Sequence, residues 1–297
     1  MAGPTVAARP GIRGRALGFL LVTHPLPSAL YVVGVGIFAW LAAAAAHRPL
    51  APGPLALVLV GMACAQAAIG ALNDYCDRER DARSQPTKPI VRGLIAPDQA
   101  LGLAVACGLA LLLLYTPLGL AALVLGLLVE GLGLAYDIRF KGTPVSGLLF
   151  AVYFPLIPLL AWAVFGRWQP FLPWVLPLGA LLGVAMNIAN SLPDLEADIA
   201  QGVRGLPHLL GMRRALVAAW GLPLVALGLV WILDLVGVVP ARPLGMVVAT
   251  VAVLVSTALA IGLYALRPGP RTLRLTFFLQ ALGVVALATG WLAAAAF

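Results

Sequence analysis

Residues 52–81 read PGPLALVLVGMACAQAAIGALNDYCDRERD, a long apolar run that ends in a cluster of charged side chains. The apolar part is long enough for one α-helix to cross the roughly 30 Å hydrocarbon layer of a membrane. Carboxylates in such surroundings are costly unless they are paired, hydrated or bound to a cation. The stretch therefore predicts a transmembrane helix that presents acidic side chains at one membrane surface.

The whole chain has the composition of a polytopic membrane protein. Of its 297 residues, 62% are hydrophobic and only 10% are charged, and the mean hydropathy is +1.02. A soluble domain of this length would carry about a quarter charged residues. Cys64, Cys76 and Cys107 form no CxxC pair and have no neighbouring histidine, which argues against a disulfide framework or a zinc site.

Similar apolar runs recur along the chain and predict an all-α bundle of nine transmembrane helices, forming one domain over residues 1–297. The predicted spans are 16–46, 52–74, 99–115, 118–137, 144–165, 171–193, 213–236, 242–266 and 273–297. Thr116 separates the third and fourth spans, because a residue that precedes proline disfavours the helical conformation. Without that break the count would be eight.

The basic residues are distributed unevenly between the two ends of these helices. With nine spans, 16 of the 19 Lys and Arg residues fall on one side, starting with Arg9, Arg13 and Arg15 before the first helix. The three on the other side are Arg48, Arg167 and Arg242. This bias is the positive-inside signature, so the larger group and both acidic motifs are expected in the cytoplasm. The net charge of +8 is thus explained by membrane topology, without nucleic-acid binding.

Two oxygen-rich stretches lie at the ends of the second and sixth spans. Asn73, Asp77 and Asp81 are spaced four residues apart, and residues four apart lie on nearly the same helix face. The second stripe consists of Asn187, Asn190, Asp194 and Asp198. Mg²⁺ takes oxygen ligands and commonly bridges carboxylates to phosphates. The predicted metal ligands are Asn73, Asp77, Asp81, Asp194 and Asp198.

Basic residues accompany both acidic motifs. Lys88 and Arg92 follow the first, Lys141 lies in the loop after the fourth span, and Arg204 follows the second. Cations of this kind complement phosphate oxygens, so these four residues are candidate diphosphate ligands. The alternative is that the motifs are solvated loops at the membrane surface, with charges that compensate one another.

The motifs resemble those of the UbiA-type intramembrane prenyltransferases along the whole chain. The family's N-D-x-x-D-x-x-x-D motif is matched by Asn73, Asp74, Asp77 and Asp81, and its D-x-x-x-D motif by Asp194 and Asp198. The segment Lys88-Pro89-Ile90-Val91-Arg92-Gly93 resembles the one that follows the family's first motif, and Tyr136 with Lys141 resembles its tyrosine and lysine loop.

The resemblance implies a Mg²⁺-dependent enzyme in the cell membrane, with its active site facing the cytoplasm. It would transfer a polyprenyl group from an isoprenyl diphosphate to an acceptor, usually aromatic, as in a 4-hydroxybenzoate polyprenyltransferase of quinone biosynthesis. The catalytic residues implied are Asn73, Asp77, Asp81, Asp194, Asp198, Lys141 and Tyr136. The ring of Tyr136 would stabilise cationic character.

Other classes fit part of the pattern. CDP-alcohol phosphotransferases also use membrane aspartates and metal, but their D-G-x-x-A-R signature is absent. A cation-coupled transporter would need its carboxylates near the bilayer midplane, whereas these lie at helix ends. The sequence leaves open the acceptor, the prenyl chain length and the oligomeric state. Glu130 is a candidate to line the acceptor pocket and His24 to touch substrate, whereas His208 is interpreted as a loop residue.

Overall fold

A computed structural model describes residues 11–200 and 202–297, and within these ranges every regular element is helical. The helices are α1 (Ile12–Val22), α2 (Pro25–Ala45), α3 (Pro52–Ser84), α4 (Pro97–Tyr115), α5 (Leu120–Ala135), α6 (Ser146–Phe165), α7 (Leu172–Ser191), α8 (Leu195–Ala200), α9 (Leu206–Leu235), α10 (Pro243–Leu266) and α11 (Pro270–Ala296). Nine segments of the described chain are long and apolar enough to cross a membrane. The predicted all-α bundle and its nine spans are confirmed.

The first predicted span, 16–46, is wrong in its N-terminal part. The structure divides it into α1 and α2 at His24, which has the left-handed backbone conformation with φ 50°. Pro25 causes the break, because it lacks a backbone N–H and disfavours a helical conformation at the residue before it. The span that crosses the membrane is α2, and α1 is a separate helix before it. Arg9 lies outside the described residues.

The two acidic motifs are carried differently. α3 continues to Ser84 instead of ending at residue 74, so Asn73, Asp77 and Asp81 lie on one uninterrupted helix. The second stripe is broken, because a 3₁₀ turn at Leu192–Asp194 separates α7 from α8. Pro193 lies in that turn and cannot donate the hydrogen bond that would continue α7. The second stripe therefore does not lie on one regular α-helix, although Asn190, Asp194 and Asp198 still line one cavity.

Six helices enclose the centre of the bundle. In order, each contacting the next and the last contacting the first, they are α2, α3, α5, α6, α7 and α11. α4 packs against α3 and α5, while α9 packs against α7 and α10 packs against α11. The end of α3 that carries the first acidic motif, and the end of α7 that leads into the second, thus belong to this ring of six helices.

Tyr115 joins α3, α4 and α5. It is fully buried, and its hydroxyl donates a 3.0 Å hydrogen bond to the carbonyl oxygen of Val58 in α3. Its ring lies against Gly126 of α5, where an added methyl group would come within 2.2 Å of a ring carbon. Gly126 therefore permits a close approach that any side chain would prevent.

We expect Gly126→Ala to destabilise the protein by about 1–3 kcal/mol, the usual effect of overpacking. The measurement is the thermal unfolding temperature in detergent. Gly131→Ala on the same helix is the matched control, because an added methyl there meets no described atom within 4 Å. Equal unfolding temperatures for the two variants would contradict the packing of Tyr115.

Candidate functional site

A polar cavity of about 390 Å³ lies where the acidic motifs meet. Its wall is formed by the six enclosing helices, by α8 and α9, and by connecting segments between helices. The charged and amide side chains in that wall are His24, Gln66, Asn73, Arg80, Gln85, Asp137, Lys141, Asn190, Asp194, Asp198 and His208. Residues that are far apart in the chain, including members of both acidic motifs, thus line one cavity.

The side chain of Lys141 reaches from the loop after α5 to Asp77 on α3. Its Nζ lies 2.5 Å from Asp77 Oδ2, and Arg80 approaches the same oxygen at 2.6 Å. Burial lowers the pKa of Lys141, but the neighbouring carboxylate of Asp77 outweighs burial and holds that pKa above its ordinary value. Lys141 therefore remains a cation at neutral pH.

Asp74 joins His24 and Lys88 in a second charged cluster. Asp74 is almost completely buried, and its Oδ1 accepts a 2.5 Å hydrogen bond from Lys88 Nζ. The Nε2 atom of His24 lies 2.8 Å from the same oxygen. His24 lines the cavity, and its contact to substrate stays a prediction. Asp74 thus ties the break between α1 and α2 to the first acidic motif on α3.

The remaining proposed ligands divide into two groups. Asn73, Asp194 and Asp198 line the cavity, whereas Asp81 is buried on α3 and is not part of its described wall. Asp77 pairs with Lys141 and Arg80 but is also outside the described wall. Of the four proposed diphosphate ligands, Lys141 lines the cavity, whereas Lys88 is partly buried, Arg92 and Arg204 are exposed, and all three are outside the described wall. Within residues 11–200 and 202–297, no three His, Cys, Asp or Glu side chains are close enough together to hold a metal.

The second acidic motif has its own basic partners. An Arg274 guanidinium nitrogen lies 3.3 Å from Asp194 Oδ1, and this pair is largely exposed. The His208 Nε2 atom lies 3.3 Å from Asp198 Oδ2, and the His208 side chain is only 5% exposed. The interpretation of His208 as a loop residue is wrong, because α9 begins at Leu206 and includes it. Pro207, in the first turn where proline is favoured, was the sequence signal for this helix start.

Asp137 and Arg80 are cavity residues that sequence reasoning missed, and Asp137 is the more buried of the two. It lies in a π-helical turn, Tyr136–Phe140, that follows α5, and it is 8% exposed. Its Oδ1 accepts a 2.7 Å hydrogen bond from Asn73 Nδ2, and its Oδ2 has no partner among the described residues. Its position beside Tyr136 at the end of an apolar span was the available signal.

Glu130 and Asp137 are seven residues apart, a spacing that would place them on about the same face of an α-helix. Glu130 nevertheless does not line the cavity that Asp137 lines. It is buried toward Gly108 of α4, where an added methyl group would lie 2.8 Å from Glu130 Oε1. The described cavity wall does not include it. The hypothesis that Glu130 lines the acceptor pocket is not supported by this placement.

Aromatic rings separate the polar cavity from an apolar one. Tyr136 and Phe150 are 5.1 Å apart, and Tyr31 and Tyr153 are 5.7 Å apart, both pairs edge to face. The apolar cavity, about 140 Å³, shares part of its lining with the polar cavity. The shared residues are Pro27, Tyr31, Phe154, Met186 and Phe277. The polar cavity and the apolar cavity therefore border each other at a wall that includes three aromatic side chains.

The sequence pattern of the UbiA prenyltransferase family matches residues 32–283. The chain belongs to this family. The expected family and the expected class of enzyme, a prenyltransferase, are confirmed. Membership of the UbiA family together with the nine apolar helices of the described chain makes it a multi-pass membrane protein.

Curated relatives in the UbiA family come from archaea. Digeranylgeranylglyceryl phosphate synthase of Natronomonas pharaonis is 34% identical over 200 residues, covering 65% of this chain and 70% of the relative. The protein of the same name from Methanopyrus kandleri is 30% identical over 201 residues, covering 68% and 72%. These names do not support the expected role in quinone biosynthesis, nor do they confirm an aromatic acceptor.

Solved structures have the same fold. A UbiA homologue from Archaeoglobus fulgidus, described as bound to DMAPP and Mg²⁺, superposes with a TM-score of 0.67 over 91% of this chain and 98% of that one. The two sequences are 19% identical. At that identity the superposition establishes the shared UbiA fold.

Proposed function

We propose that this protein transfers a prenyl group from an isoprenyl diphosphate to a lipid acceptor, with Mg²⁺ bound between the two acidic motifs. The observation that carries the proposal is that the polar cavity, lined by Asn73, Asp194, Asp198 and Lys141, shares part of its wall with an apolar cavity. A diphosphate joined to a hydrocarbon chain needs both environments. The Archaeoglobus homologue, described as bound to DMAPP or GPP with Mg²⁺, supports the same reading.

The residues present fit a hard divalent cation. All the proposed ligands offer oxygen, which Mg²⁺ prefers, and the amide oxygen of Asn73 has no protein partner among the described residues. Asn73, Asp77 and Asp81 would hold the ion from the α3 side, and Asp194 and Asp198 from the other side. Bound there, Mg²⁺ would neutralise charge that develops on the diphosphate as it leaves.

The chain's own residues then act on the two ends of the breaking bond. Lys141 and Arg80 donate hydrogen bonds to diphosphate oxygens, where preorganised cations stabilise the departing charge. The C–O electron pair leaves with the diphosphate, and the π faces of Tyr136 and Phe150 stabilise the allylic cation. An acceptor hydroxyl forms the new C–O bond and releases its proton to solvent. The apolar walls exclude water that would otherwise compete for the cation.

The apolar cavity is proposed to hold the prenyl tail. It follows α2 from Pro27 to Phe38, a distance of about 16 Å at 1.5 Å per residue. Its lining is almost entirely apolar, with Phe154 and Ile157 from α6 and Trp291 from α11. The tail would therefore lie along the bundle axis, with its diphosphate end at the acidic motifs.

For the acceptor, we propose an isoprenyl ether of glyceryl phosphate. The support is the shared name of the archaeal relatives at 30–34% identity. The test uses purified protein, Mg²⁺ and geranylgeranyl diphosphate, with either geranylgeranylglyceryl phosphate or 4-hydroxybenzoate, and products are identified by mass spectrometry. The glyceryl phosphate is expected to be prenylated. Product from 4-hydroxybenzoate alone would overturn the acceptor, and no product from either would count against prenyl transfer.

We further propose that residues 1–297 act as one domain in the cell membrane with the cavity facing the cytoplasm. The support is the charge bias, because the basic residues concentrate at the cavity end of the helices. Single cysteines are placed at Arg83, Arg204 and Arg167, which are all exposed, after the three native cysteines are replaced by serine. An impermeant thiol reagent applied to intact cells should label only the cysteine at 167. Labelling at 83 or 204 from outside would contradict this orientation.

A further inference from the structure

Asn73 and Asp137 form a hydrogen bond across the cavity wall. Asn73 belongs to α3 and Asp137 to the π-helical turn after α5, and the donor and acceptor are 2.7 Å apart. Asp137 is more than nine-tenths buried and lines the cavity. A donor-to-acceptor distance of 2.7 Å is that of a well-formed N–H···O hydrogen bond. The contact therefore constrains the side chain of Asn73.

The direction of this hydrogen bond decides which atom of Asn73 faces the cavity. A side-chain amide has a nitrogen that only donates and an oxygen that only accepts. The nitrogen of Asn73 is directed to the carboxylate of Asp137. Rotating the amide by half a turn would place two acceptor oxygens against each other, which is unfavourable. The amide oxygen is thus left as the free end of the group, and oxygen is the atom that Mg²⁺ accepts as a ligand.

The backbone around Asp137 is well placed to hold it. The Lys141 backbone N–H donates a 2.8 Å hydrogen bond to the Tyr136 carbonyl oxygen, which closes the π-helical turn. The ring of Tyr136 packs on Phe150 of α6. Asp137 therefore lies in a turn that is held by a backbone hydrogen bond and by the packing of Tyr136 on α6. A residue that orients another side chain needs such a fixed position.

We propose that Asp137 is a positioning residue that orients the amide of Asn73, so that the Asn73 oxygen is presented to the metal. The inference rests on the proposed function, because it needs a divalent ion at Asn73. Partners that orient metal ligands commonly change metal affinity 10–100-fold when they are removed. The role of Asp137 depends on its hydrogen bond and not on its charge, and this distinction can be tested.

The first test compares Asp137→Asn with Asp137→Ala. Both variants remove the negative charge, but only asparagine keeps an oxygen that can accept the hydrogen bond from Asn73. The readout is the Mg²⁺ concentration that gives half of the thermal stabilisation by a fixed amount of geranyl thiodiphosphate, which needs no turnover. We expect Asp137→Ala to raise that concentration about 10–100-fold and Asp137→Asn to leave it within about threefold of wild type.

The second test exchanges the two residues. In Asn73→Asp alone, two carboxylates face each other with no donor between them, so Mg²⁺ binding should weaken. In the double variant Asn73→Asp with Asp137→Asn, the asparagine at 137 donates to the aspartate at 73, and binding should recover. Both side chains keep their size, so misfolding of the alanine variant would not affect this comparison.

The outcomes separate the two proposals. If the wild-type protein shows no Mg²⁺-dependent stabilisation, the proposed function fails and the role of Asp137 fails with it. If the wild type responds but Asp137→Ala binds Mg²⁺ as the wild type does, only the role of Asp137 is overturned. Equal weakening in Asp137→Asn and Asp137→Ala, or no recovery in the exchanged double variant, would also overturn it, because charge would then matter and the hydrogen bond would not.

Discussion

Asp77→Ala and Asp194→Ala are each expected to abolish prenyl transfer while leaving the protein folded in detergent. Asp77 lies on α3, where it pairs with Lys141 and Arg80 of the cavity wall, and Asp194 lines the cavity from the turn after α7. The proposed metal site takes ligands from both motifs, so loss of either ligand should prevent Mg²⁺ from holding the diphosphate. EDTA should inactivate the wild-type enzyme in the same way, and added Mg²⁺ should restore it.

The matched control is Glu79→Ala. Glu79 is a carboxylate on α3 close to Asp77, but its side chain is 84% exposed and pairs with Arg78, whereas Asp77 is 13% exposed and pairs with the cavity residues Lys141 and Arg80. This variant should transfer prenyl groups at the wild-type rate. If Asp77→Ala or Asp194→Ala kept more than about a tenth of the wild-type rate, the barrier would have changed by less than about 1.4 kcal/mol. The site composed of two motifs would then be wrong.

Lys141→Met is expected to lower kcat/KM about 100-fold, which corresponds to about 2.7 kcal/mol of lost transition-state stabilisation. Lys141 is a cation of the cavity wall that contacts Asp77, and methionine keeps its length without the charge. Steady-state kinetics with a saturating acceptor provides the measurement. Arg139→Met is the control, because Arg139 is an exposed cation two residues earlier and should not affect the rate.

The pH dependence follows from the same ion pair. The carboxylate of Asp77 raises the pKa of Lys141 against the opposing effect of burial. Since a group with a raised pKa stays protonated to higher pH, Lys141 should cause no loss of activity between about pH 7 and 9, well below an ordinary lysine pKa of about 10.4. A fall in rate over this range that disappears in Lys141→Arg would contradict the assigned charge state.

The membrane spans and the first acidic motif could be predicted because each depends on local pattern. Apolar runs of the right length fix a span, and the spacing of Asn73, Asp77 and Asp81 needs only a continuous helix, which α3 provides. The break at His24 was missed, although Pro25 was a signal for it. The turn at Leu192–Asp194 was also missed, although Pro193 was a signal for it, but Asn190, Asp194 and Asp198 still line one cavity.

The pairings inside the cavity could not be predicted from the sequence. Lys141 contacts Asp77 and Lys88 contacts Asp74, and these pairings depend on how α5 and the loop after α3 pack in three dimensions. The π-helical turn that contains Asp137 could not be predicted, because no repeating pattern of residues marks it in the sequence. Arg92 and Arg204 were proposed as diphosphate ligands because they follow the acidic motifs in the chain. Both are exposed and outside the described cavity wall, because nearness in sequence does not decide which side chains of a loop line a cavity.

The most direct test of the account is ligand-dependent thermal stability of the purified protein. The ligands are non-hydrolysable prenyl thiodiphosphates of increasing length, each measured with and without Mg²⁺, and inorganic diphosphate is the control. With Mg²⁺, stabilisation should reach about 2.7 kcal/mol at a hundredfold excess over Kd. It should increase with tail length by up to about 0.8 kcal/mol per buried methylene until the apolar cavity is full. Stabilisation that is indifferent to Mg²⁺ and to tail length would contradict a prenyl diphosphate site joined to an apolar channel.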